Sequence, residues 1–104
     1  MTPILTWGIG IAVCLACAGP ACAQGPDVTD LIAEACTPCH GDEGIAMSAD
    51  VPNLAGQKSV YLYNQLRAFH TGRRPHQDMR YMSRQMTDED MRAIADYYAK
   101  LPPR

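Results

Sequence analysis

Five consecutive residues, Cys36-Thr37-Pro38-Cys39-His40, constrain this chain more than any other stretch. Two cysteines three apart with a histidine directly after them form the attachment pattern of a c-type haem. Each thiol adds to one vinyl group of the porphyrin, so both sulfurs must meet one edge of the ring. On a helix, residues i and i+3 share a face, which brings Cys36 and Cys39 to that edge together. The imidazole of His40 is then next in the chain to ligate the iron from the proximal side. A thioredoxin-like redox pair would need a βαβ context. A zinc site would need a second Cys/His pair at suitable spacing. The surrounding sequence offers neither.

At 104 residues the chain holds one small domain, and its first stretch reads as a leader. Residues 4–18 are almost unbroken apolar sequence, Gly19-Pro20 interrupts them, and Ala21-Cys22-Ala23 gives the small-x-small pattern of a signal-peptidase site. Cleavage after Ala23 divides the chain into a signal peptide, 1–23, and a mature domain, 24–104. No Lys or Arg precedes the apolar run, which leaves the terminal amine as the positive charge there. The run is short for a membrane span of about twenty residues, and the residues before Cys17 and Cys22 suit a lipoprotein signal poorly. The expectation is export to the periplasm, with no stable membrane insertion once the leader is removed.

Cys14, Cys17 and Cys22 all fall in that leader, so the mature domain keeps Cys36 and Cys39 alone. Cys14 and Cys17 also make a C-x-x-C, but Ala18 follows and brings no ligand. All nine basic and eleven acidic residues lie beyond position 23, for a net charge of −2. That balance argues against nucleic-acid binding, which calls for a strongly basic face. A mature chain this small buries a marginal core and usually needs a staple or a prosthetic group at its centre.

Periodicity places three helices. The first runs from Asp27 or Val28 to Cys39, with Leu31, Ala35 and Cys39 in one stripe and Ile32 and Cys36 beside it, so that both haem cysteines fall on the buried face. Residues 41–56 are loop-rich, and Pro52-Asn53-Leu54-Ala55-Gly56-Gln57 ends them. A carbonyl there could accept the second ring N–H of His40. A second helix spans Ser59 to Thr71, with Leu62, Leu66 and Phe69 inward and Gly72 as C-cap. Arg67, Arg73 and Arg74 cluster near its end, either complementing the helix terminus or pairing with a haem propionate or an acidic partner. Residues 75–85 read as irregular. Thr87 then caps a last helix, where Met91, Ile94, Ala95 and Tyr98 form the stripe and Pro102-Pro103 the stop.

A low-spin haem needs a sixth ligand. Met91 and Met86 belong to core packing, Met47 lies too close in sequence to His40 to cross the ring, and His70 sits at a helix end. The segment 75–85 remains, with Met79, Met82 and His76.

The stretches CTPCHGDEG, PNLAGQ, YLYNQLRAFHTGRR and MTDEDMRAIADYYAKL occur in the order found in one family. Over 24–104 the sequence resembles a bacterial class I cytochrome c, in particular the single-haem periplasmic forms and one half of the dihaem forms. The resemblance implies an all-α fold, three to four helices and loops wrapped around one covalently attached haem c. It implies that Met79 is the sixth ligand, because the family's axial methionine lies seven residues before the apolar position, here Met86, that precedes the last helix. Met82 matches a non-ligating methionine. The extra histidine, His76, and the lack of a proline beside Met79 depart from the pattern. The first and last helices should cross and bury Ile32 against the Tyr97-Tyr98 region. The function implied is electron carriage between redox proteins, a donor dehydrogenase or respiratory complex and an acceptor oxidase or reductase, without enzymatic activity. The alternative is a cytochrome subunit of a dehydrogenase complex, fed by a flavin or other catalytic subunit. A gas-binding or peroxidatic protein would require an open sixth position.

Overall fold

Pro38 shapes the first helix. It has no N–H to give the carbonyl of Glu34, and its ring crowds that carbonyl. The helix answers by widening upstream. In the computed structural model, which describes residues 3–4, 8–12 and 25–104, helix α1 covers 29–40 in three parts. These are an α turn Thr29–Leu31, a π-helical stretch Ile32–Cys36 and a final α turn Thr37–His40. The Thr37 N–H reaches back to the Ile32 carbonyl, the i→i+5 bond of a π turn. In that wider turn Ile32 and Cys36 lie one above the other, and both are buried. The expected leader boundary at Ala23, and Cys14, Cys17 and Cys22, lie outside the described residues.

Three further helices follow: α2 at Ser59–Thr71, α3 at Gln77–Arg84 and α4 at Asp88–Ala99. Among the described residues there are no strands, and no helix is long and apolar enough to cross a membrane. Helix α2 matches the periodic reading, closed by Gly72 in the left-handed conformation. Helix α3 corrects it, because residues 75–85 were expected to be irregular. The sequence hides this helix for two reasons. Its N-cap is His76, whose ring Nδ1 accepts the Met79 N–H at 3.3 Å, and histidine is not among the residues that usually signal a cap. Its apolar content is also too small to show a period.

Helix α4 opens on a full capping box. Thr87 accepts the Asp90 N–H at 3.0 Å, and Asp90 accepts the Thr87 N–H at 3.0 Å. Helix α2 packs against both α3 and α4. The core draws on Val28, Ile32 and Cys36 of the first helix and its lead-in, Leu62 of α2, Met86, and Met91, Ile94, Ala95 and Tyr98 of α4. Ile32 and Tyr98 therefore share one core, as the resemblance implied. Tyr97 does not join it: 38 % exposed, it sets its ring edge-on to Tyr98 at 5.1 Å.

On the surface, Asp88 ties α4 to α2. It accepts from the Tyr63 hydroxyl, from Arg92 at 2.9 Å and from Arg67 at 3.5 Å, while the Arg92 guanidinium lies 4.2 Å over the Tyr63 ring. The Tyr63 hydrogen bond, then that of Arg92, holds the Asp88 carboxyl below its ordinary value. A lowered folded-state value means the contribution is present above the unfolded-state value and is lost as pH falls through the folded one. Asp88→Asn should therefore flatten the acid limb of a stability-versus-pH curve. Thr87→Ala should lower stability by about 1 kcal/mol in denaturant titrations at neutral pH.

Candidate functional site

Helix α1 ends at Gly41, where φ is +84° and a Cβ would stand 2.0 Å from the Ile45 carbonyl oxygen. Only glycine allows this turn. The chain then loops back on itself. The Gly44 carbonyl accepts the N–H groups of Leu54 at 2.8 Å and Ala55 at 3.1 Å, and Asn53 Oδ1 accepts the Ala46 N–H at 2.8 Å. This return brings the Pro52 carbonyl to 2.9 Å from His40 Nδ1. A carbonyl only accepts, so Nδ1 carries the hydrogen and Nε2 keeps its lone pair. The carbonyl anticipated in the Pro52–Gln57 stretch is thus that of Pro52. His40 itself is buried.

His40 and Cys36 line a cleft that also takes in Leu62, Leu66 and Phe69 of α2, Met79 and Met82 of α3, and Ile94 and Tyr98 of α4. It holds about 830 Å³ of atom-free space counted out to its open mouth. Its walls are mainly apolar, with Asn53, Gln57, Gln65 and Arg74 among the polar groups. Arg74 Nη1 donates to Gln65 Oε1 at 2.6 Å, and the guanidinium sits 4.6 Å above the Phe69 ring. The three arginines that the sequence grouped are thus separated: Arg67 pairs with Asp88, Arg73 is exposed and Arg74 lines the cleft.

The ligand candidates separate as well. Met79 and Met82 are both half-buried at the cleft, one helical turn apart. His76 is exposed, is engaged as the α3 cap and does not line the cleft. Met47 is fully exposed, while Met91 is buried in the core. Met86 is buried in the core too, and also borders the cleft.

The two cysteines differ from expectation. Cys36 is buried but Cys39 is exposed. An i, i+3 pair is offset around the helix, and Cys39 falls in the last turn before Gly41, where α1 reaches the surface. Burial pushes the Cys36 thiol up, partly offset by the Tyr98 hydroxyl beside it. Burial raises the Tyr98 hydroxyl as well, with the Cys36 thiol adding to the shift. Among the described residues Tyr98 Oη satisfies no full hydrogen bond.

His70 has a role that the sequence did not signal. Its Nδ1 donates to the Ser83 carbonyl at 2.7 Å and ties α2 to α3. It is half-buried in the last turn of α2.

An apolar cleft with a buried imidazole of fixed tautomer, thioethers on a neighbouring helix and two free thiols three residues apart fits a covalently bound haem. The model of the cytochrome c family matches residues 27–102. The chain belongs to the cytochrome c family. Members of this family carry a covalently bound c-type haem with iron.

Among relatives, the chain is 39 % identical over 69 residues to the thiosulfate dehydrogenase electron acceptor of Stutzerimonas stutzeri, a match covering 64 % of this chain and 32 % of that protein. It is 36 % identical over 67 residues to cytochrome c-554(548) of Halomonas halodenitrificans, covering 62 % of this chain and 81 % of that one. The solved cytochrome c4 of Acidithiobacillus ferrooxidans superposes with a TM-score of 0.61 at 35 % identity, over 64 % of this chain and 38 % of that chain. The chain thus spans about a third of the length of the first relative, and somewhat over a third of the cytochrome c4 structure.

Within this cytochrome fold, the His70 bond fixes the helix that carries Met79 and Met82. His70→Ala would remove this tie, while the Ser83 carbonyl keeps the Met86 N–H at 3.1 Å. Chemical denaturation of the haem-loaded protein should show a loss of about 0.5–1.5 kcal/mol.

Proposed function

We propose that this cytochrome is a one-electron carrier whose haem is attached through Cys36 and Cys39 and ligated by His40 and Met79. The observation that carries this reading is the His40–Pro52 hydrogen bond, which leaves Nε2 with a free lone pair in a cleft that Met79 also lines. Bound there, the haem iron would supply a one-electron couple between its ferrous and ferric states. Pro52 holds the imidazole in one tautomer and one orientation. Leu62, Leu66 and Phe69 keep water away. The Met79 thioether would favour the ferrous state and so raise the potential. Arg74 would supply a cation for an acidic haem side chain. Held by both His40 and Met79, the iron would offer no position to a substrate, in keeping with a carrier and not an enzyme.

A second reading is favoured by the names of two relatives from Stutzerimonas stutzeri and Thiomonas intermedia, both thiosulfate dehydrogenase electron acceptors. Under it the chain takes electrons from a dehydrogenase as part of a complex. Co-purification with a larger catalytic subunit separates that arrangement from a free carrier. Export belongs to the same proposal: residues 1–23 act as a cleaved signal peptide and 24–104 as a periplasmic domain. The apolar run and Ala21-Cys22-Ala23 support it.

Protein made in a host with c-type maturation should keep its haem through acid–acetone extraction, with the mass of residues 24–104 plus one haem. A mature chain lacking the added mass would end the reading. Cys36→Ala or Cys39→Ala should weaken or abolish the stable holoprotein.

Met79→Ala should remove the weak red sulfur-to-iron absorption band, open the iron to carbon monoxide and lower the potential. Met82→Ala and His76→Ala should leave the band in place. Loss of the band in Met82→Ala, with retention in Met79→Ala, would move the ligand one helical turn. A wild-type protein without the band, opened by His76→Ala alone, would make the site bis-histidine.

A further inference from the structure

Tyr98 brings a hydroxyl into the core that packing alone does not call for. The side chain is 1 % exposed. Among the described residues its Oη is one of two buried side-chain polar atoms without a hydrogen-bond partner. An unpaired buried hydroxyl is costly, and phenylalanine would fill the same space without it. The oxygen is therefore placed for a particular neighbour.

The ring has little freedom to choose its direction. A Cβ on Gly44 would stand 2.8 Å from the Tyr98 Cδ1 and 3.1 Å from its Cε1, so the loop lies close against one side of the ring. Tyr97 meets the ring edge-on at 5.1 Å, and the Tyr98 carbonyl accepts the Gly56 N–H at 3.0 Å. Held in this way, Tyr98 lines the cleft together with Cys36 and His40. Its hydroxyl lies beside the Cys36 sulfur, in the core that both residues share. Burial raises the phenol above its ordinary value, with Cys36 adding to the shift, so the oxygen keeps its hydrogen.

A hydroxyl beside a thiol is an ambivalent pair, because either hydrogen can be donated. Haem attachment removes the ambiguity. The Cys36 S–H adds across a vinyl group: an S–C bond forms, the hydrogen goes to the other vinyl carbon, and no oxidant or reductant is needed. The thioether sulfur that results has lone pairs and no hydrogen, so it can only accept. We infer that the Tyr98 hydroxyl donates a hydrogen bond to the Cys36 thioether sulfur, and that Tyr98 is through this bond a positioning residue that raises the haem potential. The inference rests on attachment through Cys36, as proposed above, and adds a residue that acts through it. The O–H dipole turns its positive end toward the sulfur at the ring edge. In a buried site that end favours the less positive state of the iron, which is the ferrous one. The direction is the same as that assigned to the Met79 thioether.

The test uses the haem-loaded protein, whose covalent haem and red band are checked first. A failure of the attachment or ligand reading thus appears before Tyr98 is changed. Tyr98→Phe removes one oxygen and keeps the ring. In a redox titration it should lower the ferrous-to-ferric ratio at a fixed applied potential by about threefold, the scale of one modest hydrogen bond, with the red band intact. Its denaturation midpoint should fall too, because a hydrogen bond that was made is lost. Tyr97→Phe makes the same change on the neighbouring, more exposed ring and should leave the ratio unchanged. An unchanged or raised ratio in Tyr98→Phe, or an equal fall in Tyr97→Phe, overturns the inference. So does a Tyr98→Phe midpoint that stays or rises, since removing an orphaned hydroxyl relieves its cost.

Proton NMR of the ferrous protein reads the bond directly. The Tyr98 hydroxyl proton should appear as a resonance in slow exchange with water, with nuclear Overhauser cross-peaks to the Cys36 β-protons, and it should be missing from Tyr98→Phe. Cross-peaks from that proton to bound water or to a backbone group in place of Cys36 would overturn the assignment. A hydroxyl proton lost to rapid solvent exchange would do the same.

Discussion

The hydrogen bond from His40 Nδ1 to the Pro52 carbonyl is the constraint on which the rest of the site depends. An imidazole can offer either nitrogen, and a site built on it is undefined until one of them is spoken for. Here the choice is made by backbone alone. Gly41 takes a conformation that other residues reach only with strain, the loop turns at Gly44, and Pro52 arrives beside the ring. The loop is in turn held by the last helix. The Gly56 N–H donates to the Tyr98 carbonyl at 3.0 Å, and a Cβ on Gly44 would stand 2.8 Å from the Tyr98 ring. Tyr98 is also buried in the core beside Cys36 and Ile32. The first helix, the loop and the last helix thus meet at one side chain, and the orientation of His40 follows from that meeting.

Much of this was legible in the sequence, and the part that was not has identifiable causes. Helix α2 and helix α4 declared themselves because their apolar stripes are long enough to show a period and their ends carry Gly72 and Thr87. Helix α3 did not. It has two full turns, most of its residues are polar, and its cap is a histidine, so composition pointed to a loop. The π turn at Ile32–Cys36 is a response to Pro38 that no helical wheel displays, because the wheel assumes the α period throughout. A wheel also says nothing of where a helix surfaces, and Cys39, expected on the buried face, lies exposed in the last turn. His70 was read by its place at a helix end, while its actual partner, the Ser83 carbonyl, is thirteen residues away and becomes a neighbour only once α3 exists.

The cleft shows how a core this small is completed. Buried Cys36, Leu62, Phe69, Ile94 and Tyr98 line it together with half-buried Leu66 and the two methionines. Without an occupant these surfaces would face water across an open mouth, at a cost that scales with their apolar area. A group that fills the cleft and bonds to Cys36 and Cys39 removes that cost and adds a covalent tether to the one helix that ends at Gly41. Binding and folding are then linked in the usual sense, since whatever occupies the folded state alone stabilises it. The cytochrome c family solves the small-domain problem by making the cofactor part of the core.

That α3 is a helix also changes what distinguishes Met79 from Met82. In a loop, either thioether could swing toward the same point, and replacing one would invite the other to take its place. On a helix the two side chains are separated by a rise of about 4.5 Å along the axis, so an exchange requires the element itself to slide. Two contacts oppose the slide. His76 caps the first turn through the Met79 N–H, and His70 grips the last turn through the Ser83 carbonyl. The packing of Arg80 beside Gly72 adds a third point between them. His76, which the sequence offered as a rival ligand, is in this fold a cap that helps hold the methionines in register.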